Sequence, residues 1–321
     1  PNGINPNNSE VRGRVRDAIL NVGGKNKNSR HITLKGIQIF AGKLWAYRAT
    51  NISFLDCRFS YSITNLFPIM REENGPVTKI GVGTSKTNYL ETDCDSAVFR
   101  NCIFEYIDGK ALTLRGSHYS IVENCYFHHI NWSGKESVAL RTQKAKYTTM
   151  RYLTIDHNTS GGGFFPSSHN IIDHCLISNI YSRRDAAGLQ INQGQVEPIV
   201  RYTWVMDAPH VNGIRFDGNP GGVLRRMHHT LSIRTARGYR LKGDQHQVHH
   251  ITGMESGKHD ISLPDYKFYG YWNPETGEAT TDPSLGWPRA TNLGEDTLYN
   301  IPHSGNLNTV HRNSIAAGRY E

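Results

Sequence analysis

Apolar residues along this chain alternate with polar ones in short runs, and the runs return at a near-constant interval. Leu112-Thr-Leu-Arg115, Val138-Ala-Leu-Arg141, Gly163-Phe-Phe-Pro166, Leu189-Gln-Ile-Asn192, Ile214-Arg-Phe-Asp217 and Tyr239-Arg-Leu-Lys242 start 26, 25, 26, 25 and 25 residues apart. Alternate side chains of an extended strand face opposite ways, so each run has one apolar and one polar face. A second series follows the first: Val122–Phe127, Met150–Ile155, Ile172–Ile177, Val200–Val205, Leu224–His229 and Val248–Gly253. It reaches back through Phe99–Phe104 and Phe54–Phe59 to Ile32–Ile37. Turns rich in Gly, Asn, Asp and Ser separate the runs.

Units of this length, made of short strands without amphipathic helices between them, predict the rungs of a parallel β-helix. One rung cannot bury its inward side chains alone, but stacked rungs place like on like. The expected fold is therefore all-β: a single β-solenoid domain spanning 1–321, with its coil beginning near residue 30. Residues 1–29 read as an N-terminal cap with a weakly helical segment near 10–20. Breaks in the interval predict loop insertions at about 60–95 and 255–305, the second rich in aromatic residues. Cys57, Cys102, Cys125 and Cys175 fall in one inward column with Leu153, Thr203, Met227 and Ile251, which predicts buried fillers rather than ligands or nucleophiles. The remaining cysteine, Cys94, makes the count odd.

Composition narrows the partners. The chain is 37% hydrophobic and 20% charged, as in ordinary globular proteins. No run of eighteen apolar residues is present, so no membrane span is expected. A formal charge of +8 favours an anionic partner. The absence of a compact basic run or zinc-finger spacing argues against nucleic acid.

The polar faces locate that charge. Down the stack they read Thr113 and Arg115, Ala139 and Arg141, Phe164 and Pro166, Gln190 and Asn192, Arg215 and Asp217, Arg240 and Lys242. With rungs about 4.8 Å apart, five cations would line a ribbon about 25 Å long. Such a ribbon suits an extended polyanion, because guanidinium forks match sulfate or carboxylate groups. Trp45 and Tyr47, outward on an earlier rung, could stack on sugar rings.

The rung pattern, the Asn-Cys turns and the segments Asn212-Gly-Ile-Arg-Phe-Asp-Gly218 and Leu241-Lys-Gly-Asp-Gln-His246 resemble the right-handed parallel β-helix enzymes of the pectate-lyase-like fold. That group holds polysaccharide hydrolases and lyases, and the cationic face makes the hydrolases of sulfated polysaccharides the nearest in character. The resemblance implies an endo-acting glycoside hydrolase of an anionic, fucan-like or carrageenan-like polymer, secreted or periplasmic and monomeric. Asp217, between Arg215 and Lys242 and beside Asn192, is the carboxylate expected to stay ionised as nucleophile or base. Asp185, Asp244 and Glu136 are the candidates for its acid partner, and His246 is the histidine expected to reach the site. Arg115, Arg141, Gln190, Asn192, Arg215, Arg240, Lys242, His210 and Trp45 are the expected substrate contacts. Two alternatives stand beside this reading. A lyase would act on a uronate polymer with Lys242, Arg240, Arg215, His210 or Tyr239; a non-catalytic β-helix would bind the polyanion without cleaving it. Hydrolysis requires no cofactor, whereas a Ca2+-dependent lyase would want more carboxylates than Asp217 on that face. No metal ligands are assigned, and the paired histidines 128–129, 228–229 and 249–250 are expected to be hydrogen-bonded residues of the ladder.

Overall fold

The computed structural model describes residues 18–24, 28–62, 86–91, 94–132, 138–159, 162–181, 186–192, 195–217, 224–242, 246–263, 266–272, 279–280, 287–292, 310–312 and 315–317. Every regular element among them is a β-strand, and the coil is a parallel β-solenoid with three ladders. The first ladder runs through Ala18–Gly23, Lys43–Tyr47, Lys86–Glu91, Lys110–Arg115, Leu140–Gln143, Phe164–Phe165 and Ala187–Ile191. It continues along the later parts of Trp204–Phe216 and Arg226–Leu241 to His259–Ser262. The second ladder includes Ser29–Lys35, Ala49–Leu55, Val98–Arg100, Ile121–Glu123, Thr149–Arg151, Ile171–Asp173 and Ile199–Arg201. The third passes through Gln38–Phe40, Arg58–Ser60, Ile103–Glu105, Tyr126–Ile130, Thr154–Asn158 and Leu176–Ile180.

The coil is longer than the sequence pattern suggests. Ala18–Gly23 is a strand paired with Lys43–Tyr47, so the coil starts before residue 30 and residues 18–20 are not helical; residues 1–17 lie outside the described residues. Lys86–Glu91 and His259–Ser262, inside the two expected insertions, are coil strands as well. The second excursion carries a small antiparallel sheet of Tyr266–Trp272, Ala279–Thr280 and Trp287–Asn292.

Register differs from the simple alignment at four places. Leu112 pairs with Leu140 rather than Val138, a two-residue shift that preserves the face but sets Arg141 against Thr113. Leu140 pairs with Phe164 rather than Gly163. That one-residue shift turns Phe164 into the core and Phe165 outward, since a slip of one exchanges the faces. Met227 pairs with Val200 and Val248, leaving Thr230 in the cysteine column beside Ile251. Leu34 rather than Ile32 pairs with Phe54, a two-residue shift that keeps the face.

Stacking of like on like supplies the core. Phe59, Phe104 and Phe127 lie face to face at 4.7 and 4.6 Å, and Phe54 covers Phe99 at 4.8 Å. The cysteine column serves the turns. Each thiol of Cys57, Cys102, Cys125 and Cys175 donates to the carbonyl two residues earlier, at 3.2, 3.4, 3.2 and 3.3 Å. Thr203 does the same through Oγ1 at 2.9 Å. All five cysteines are buried free thiols, and burial pushes Cys175 up to about 12, so a filler role fits and a nucleophilic one does not.

Among the described residues, the one before that column takes the left-handed conformation at Asp56, Asn101, Asn124, Tyr152, His174, Tyr202, His229 and His250, with φ between 47 and 54°. Asn tolerates this region better than other non-glycine residues. The amides also bond along the stack, Asn101 Nδ2 to Asp56 Oδ1 and Asn124 Nδ2 to Asn101 Oδ1, both at 2.9 Å. Where the column becomes aromatic, ring contacts replace them: Tyr152–His174 at 5.3 Å, His174–Tyr202 at 4.7 Å, Tyr202–His229 at 5.0 Å. The adjacent column alternates in sign. Glu123 bonds Arg100 and Arg151, each at 2.7 Å, and Asp173 bonds Arg201 at 2.9 Å.

Replacing Phe104 by Ala removes the middle ring of a three-ring stack and should cost about 3–5 kcal/mol, read as a lower urea midpoint. Acid should also loosen the coil. The Arg58 hydrogen bond holds Glu105 below the usual carboxylate range, and that of Arg100 does the same for Glu123. Carboxylates depressed in the folded state stabilise it above their unfolded pKa of about 4.3. That stability is lost as pH falls through the folded values. Unfolding midpoints should therefore drop below about pH 4, and Glu105→Gln should blunt the drop.

Candidate functional site

The ladder that ends in Ala187–Ile191, Trp204–Phe216 and Arg226–Leu241 brings the expected charged residues into two rows. Gln190, Arg215 and Arg240 lie in register one above another. Asp217 follows directly, its N–H donating to Ile191 O at 2.8 Å, and Lys242 N–H donates to Phe216 O at 3.0 Å. Across these rungs the Asp217 carboxylate meets Arg215 Nη2 at 2.8 Å and Lys242 Nζ at 3.0 Å. Gln190 Nε2 donates to Asp217 Oδ2 at 3.3 Å and to Asn192 Oδ1 at 2.7 Å.

This cluster is not the open cationic ribbon expected from the alternation. Arg215, Arg240, Lys242 and Gln190 are only 3, 2, 8 and 7% exposed, and 14% of the Asp217 side chain reaches solvent. Cations stacked at rung spacing repel one another, and Asp217 interleaves them as a counter-charge. Burial pushes the Lys242 ammonium below the usual lysine range. The pull of Asp217 opposes that effect, and the charges of Arg240 and Arg215 add to it. Arg115 and Arg141 are half-buried on earlier rungs and occupy different rows, because Arg115 pairs with Gln143 while Arg141 sits between Thr113 and Phe165.

Trp45, exposed on its strand, stands on the row that continues through Tyr89 and Thr113. Six rungs separate it from Arg215, about 29 Å. His210 is exposed at the register shift between Ala208 and Asn212, a corner of the coil rather than the row. Asp185, Asp244 and Glu136 lie outside the described residues.

His246 is corrected from a site residue to a structural one. It is fully buried; Nδ1 accepts from Arg225 N–H at 3.3 Å, while Nε2 lies 2.8 Å from Lys242 O. Tyr239 likewise points into the core, its hydroxyl 3.1 Å from Thr252 O and from Thr230 Oγ1, and burial pushes it well above the usual tyrosine range. That removes Tyr239 as a base for elimination.

Two residues escaped the sequence pattern. Arg225 is completely buried beneath the cluster, donating through Nη2 to Asn192 O at 2.8 Å and through Nε to Gln195 O at 3.4 Å, with its guanidinium 5.1 Å from the Phe216 ring centre. The run Leu224–His229 contains it, but the register places the strand from Arg226 onward, so Arg225 falls in the turn before it and its inward direction carried no signal in the alternation. Glu91 takes the backbone position in register with Tyr47 and Arg115, on the row that Asp217 continues. Five rungs, about 24 Å, separate the two, too far for a pair acting on one glycosidic bond.

With this geometry in view, residues 89–225 match the family described as a right handed beta helix region. No sequence among curated proteins matches the chain. Solved structures with a similar coil include the GH136 lacto-N-biosidase of Eubacterium ramulus, with 9% identity and a TM-score of 0.36 over 73% of this chain. The chain spans 41% of that enzyme's length. PfbA, a surface adhesin of Streptococcus pneumoniae, has 9% identity and a TM-score of 0.37, covering 82% of this chain and 90% of its own. The pentapeptide repeat protein HetL from Nostoc has 11% identity and a TM-score of 0.26 over 67% of this chain and 85% of its own. The fold is established by the ladders themselves, and likenesses at this level add no argument about activity.

Arg225→Lys should lower stability by about 1–3 kcal/mol, because a single ammonium nitrogen does not reproduce the planar spread of Nε and Nη2 over the two carbonyls; chemical denaturation would measure it. An unchanged midpoint would show that the carbonyl contacts are dispensable.

Proposed function

We propose that this β-helix binds an anionic, sulfated polysaccharide along the wall carrying the half-buried Arg115 and Arg141, and hydrolyses it with Asp217 as nucleophile or water-activating base. The observation that supports the reading is the Asp217 carboxylate, fixed by Arg215, Lys242 and Gln190 yet still reaching solvent. A carboxylate so oriented loses little entropy on meeting a substrate. A general acid must stand within about 5–10 Å of Asp217. Asp185, Asp244 and Glu136 are the proposed candidates, and no cofactor is invoked. A second reading, binding without cleavage, draws support from the burial of Arg215 and Arg240, which favours a rigid charged wall over a catalytic cleft.

The test is incubation with sulfated fucan, carrageenan, chondroitin sulfate and alginate, following reducing ends together with the ultraviolet absorbance of unsaturated products. New reducing ends alone support hydrolysis; absorbance as well would indicate elimination; retention on a polymer column without cleavage would indicate a binder. Asp217→Asn should cut hydrolysis by at least about 100-fold while the circular dichroism spectrum stays that of a β-coil. Undiminished activity in that variant would remove Asp217 from the mechanism. Arg141→Ala should weaken polymer binding at low salt and flatten its salt dependence, because the lost contact is one that salt screens.

A further inference from the structure

The dipeptide His-His occurs at 128–129, 228–229 and 249–250, and the coil gives each the same shape. His129, His229 and His250 all take the left-handed conformation, with φ of 52, 51 and 51°. The turn swings the second ring back toward the first, leaving the two Nδ1 atoms 2.9, 2.9 and 2.7 Å apart. The same turn with Asp in first place puts Nδ1 of His157 and His174 2.6 Å from the preceding carboxylate. The local structure is thus a two-toothed clasp. With a carboxylate as the first tooth, a proton fills it; with two imidazoles, one Nδ1 must be a bare acceptor.

Two of the three clasps are stacked on successive rungs. His228 covers His249 with ring centres 5.0 Å apart and planes 4° from parallel; His229 covers His250 at 4.6 Å and 9°. Ring nitrogens of His229, His249 and His250 all lie within 4.8 Å of one another, and His229 and His250 are exposed. The third clasp has different neighbours. His128 pairs across the ladder with Asp156 on one side and Glu105 on the other, and its Nε2 meets Glu105 Oε2 at 3.1 Å.

The geometry points to a binding site for a divalent transition-metal ion, Cu2+, Ni2+ or Zn2+, held by His229, His249 and His250. Ligand nitrogens about 2.0–2.1 Å from a metal stand roughly 3 Å apart when adjacent in its coordination shell, close to the spacing that each clasp already has. The remaining nitrogen comes from His229 on the neighbouring rung, within 4.8 Å of the other two, and its ring would have to turn out of its contacts with His228 and His250 to close the set. Imidazole-only ligation suits Cu2+, Ni2+ and Zn2+ and excludes the oxygen-seeking Ca2+ and Mg2+. Arg201, near His228, disfavours a cation, but its guanidinium is engaged by Asp173 at 2.9 Å. An ion here would tie Arg226–Leu241 to Gln247–Met254 through side chains as well as through the backbone ladder.

Titration calorimetry of the full chain with NiCl2 and with CuCl2 tests this. One equivalent should bind, with Cu2+ tighter than Ni2+. His249→Gln and His250→Gln should each weaken binding at least tenfold, and His128→Gln should leave it unchanged. Frozen-solution electron paramagnetic resonance of the Cu2+-loaded wild type is independent of whether the variants fold, and should show coupling to at least three nitrogens. Absence of binding, equal affinity in His249→Gln, or a copper spectrum without multiple nitrogen couplings would overturn the assignment.

Discussion

Everything in this molecule depends on one constraint: each rung must satisfy its backbone and its side chains with the rung above and the rung below. Parallel ladders fix neighbouring strands about 4.8 Å apart. At that spacing a side chain's most important neighbour is the residue one turn away, not the next in sequence. Phe104 lies against Phe59 and Phe127 because rings stack well at this distance. Glu123 lies between Arg100 and Arg151 because like charges there would repel. Composition therefore varies down each column according to what can sit on itself or on its opposite.

The turns obey the same rule under an added strain. A left-handed residue on every rung costs roughly 1–2 kcal/mol when it is not glycine. The chain nevertheless uses Asn, Tyr and His at these positions, and each is a residue that interacts along the stack. Amides bond to amides, rings lie on rings, and the next residue's thiol or hydroxyl takes the carbonyl that the turn leaves bent inward. This device explains both the exposed aromatic column and the histidine clasps. The clasps are the turn geometry expressed with imidazoles.

On the first ladder the rule reaches its electrostatic limit. Arg215 and Arg240 are directly in register, and Lys242 lies close by. Asp217 is the acceptor that draws two of these cations together, while Arg225 pins the backbone from beneath. Burial of the group makes the wall rigid and confines its solvent-facing chemistry to the Asp217 edge. A polyanion approaching from Arg115 and Arg141 would meet half-buried cations first and the carboxylate last.

The repeat interval, the all-β coil and the buried cysteine column could be read from sequence, because a period of about 25 residues and alternation of period two are one-dimensional signals. The pairing of Asp217 with Arg215 and Lys242 was legible for the same reason: two of the three share a strand, and the third lies one period on. Register was not legible at Val138, Gly163 and Leu224. There the loops between strands change length, and only hydrogen bonding across rungs decides that Leu140, Phe164 and Met227 occupy the inward positions. Burial was not legible either. Alternation separates the inward face of a strand from its outward face, but does not say whether the outward face meets water, so Arg215 and Arg240 looked exposed. His246 and Arg225 show the same limit: each lies in a turn, where direction is set by what the chain must hydrogen-bond after it has coiled. Sequence by itself determined that short strands recur about every 25 residues with an inward apolar face, since one rung cannot bury its side chains alone; tertiary structure decided which residues stack where the loops change length and which outward columns are covered, since both depend on contacts between rungs that no local pattern encodes.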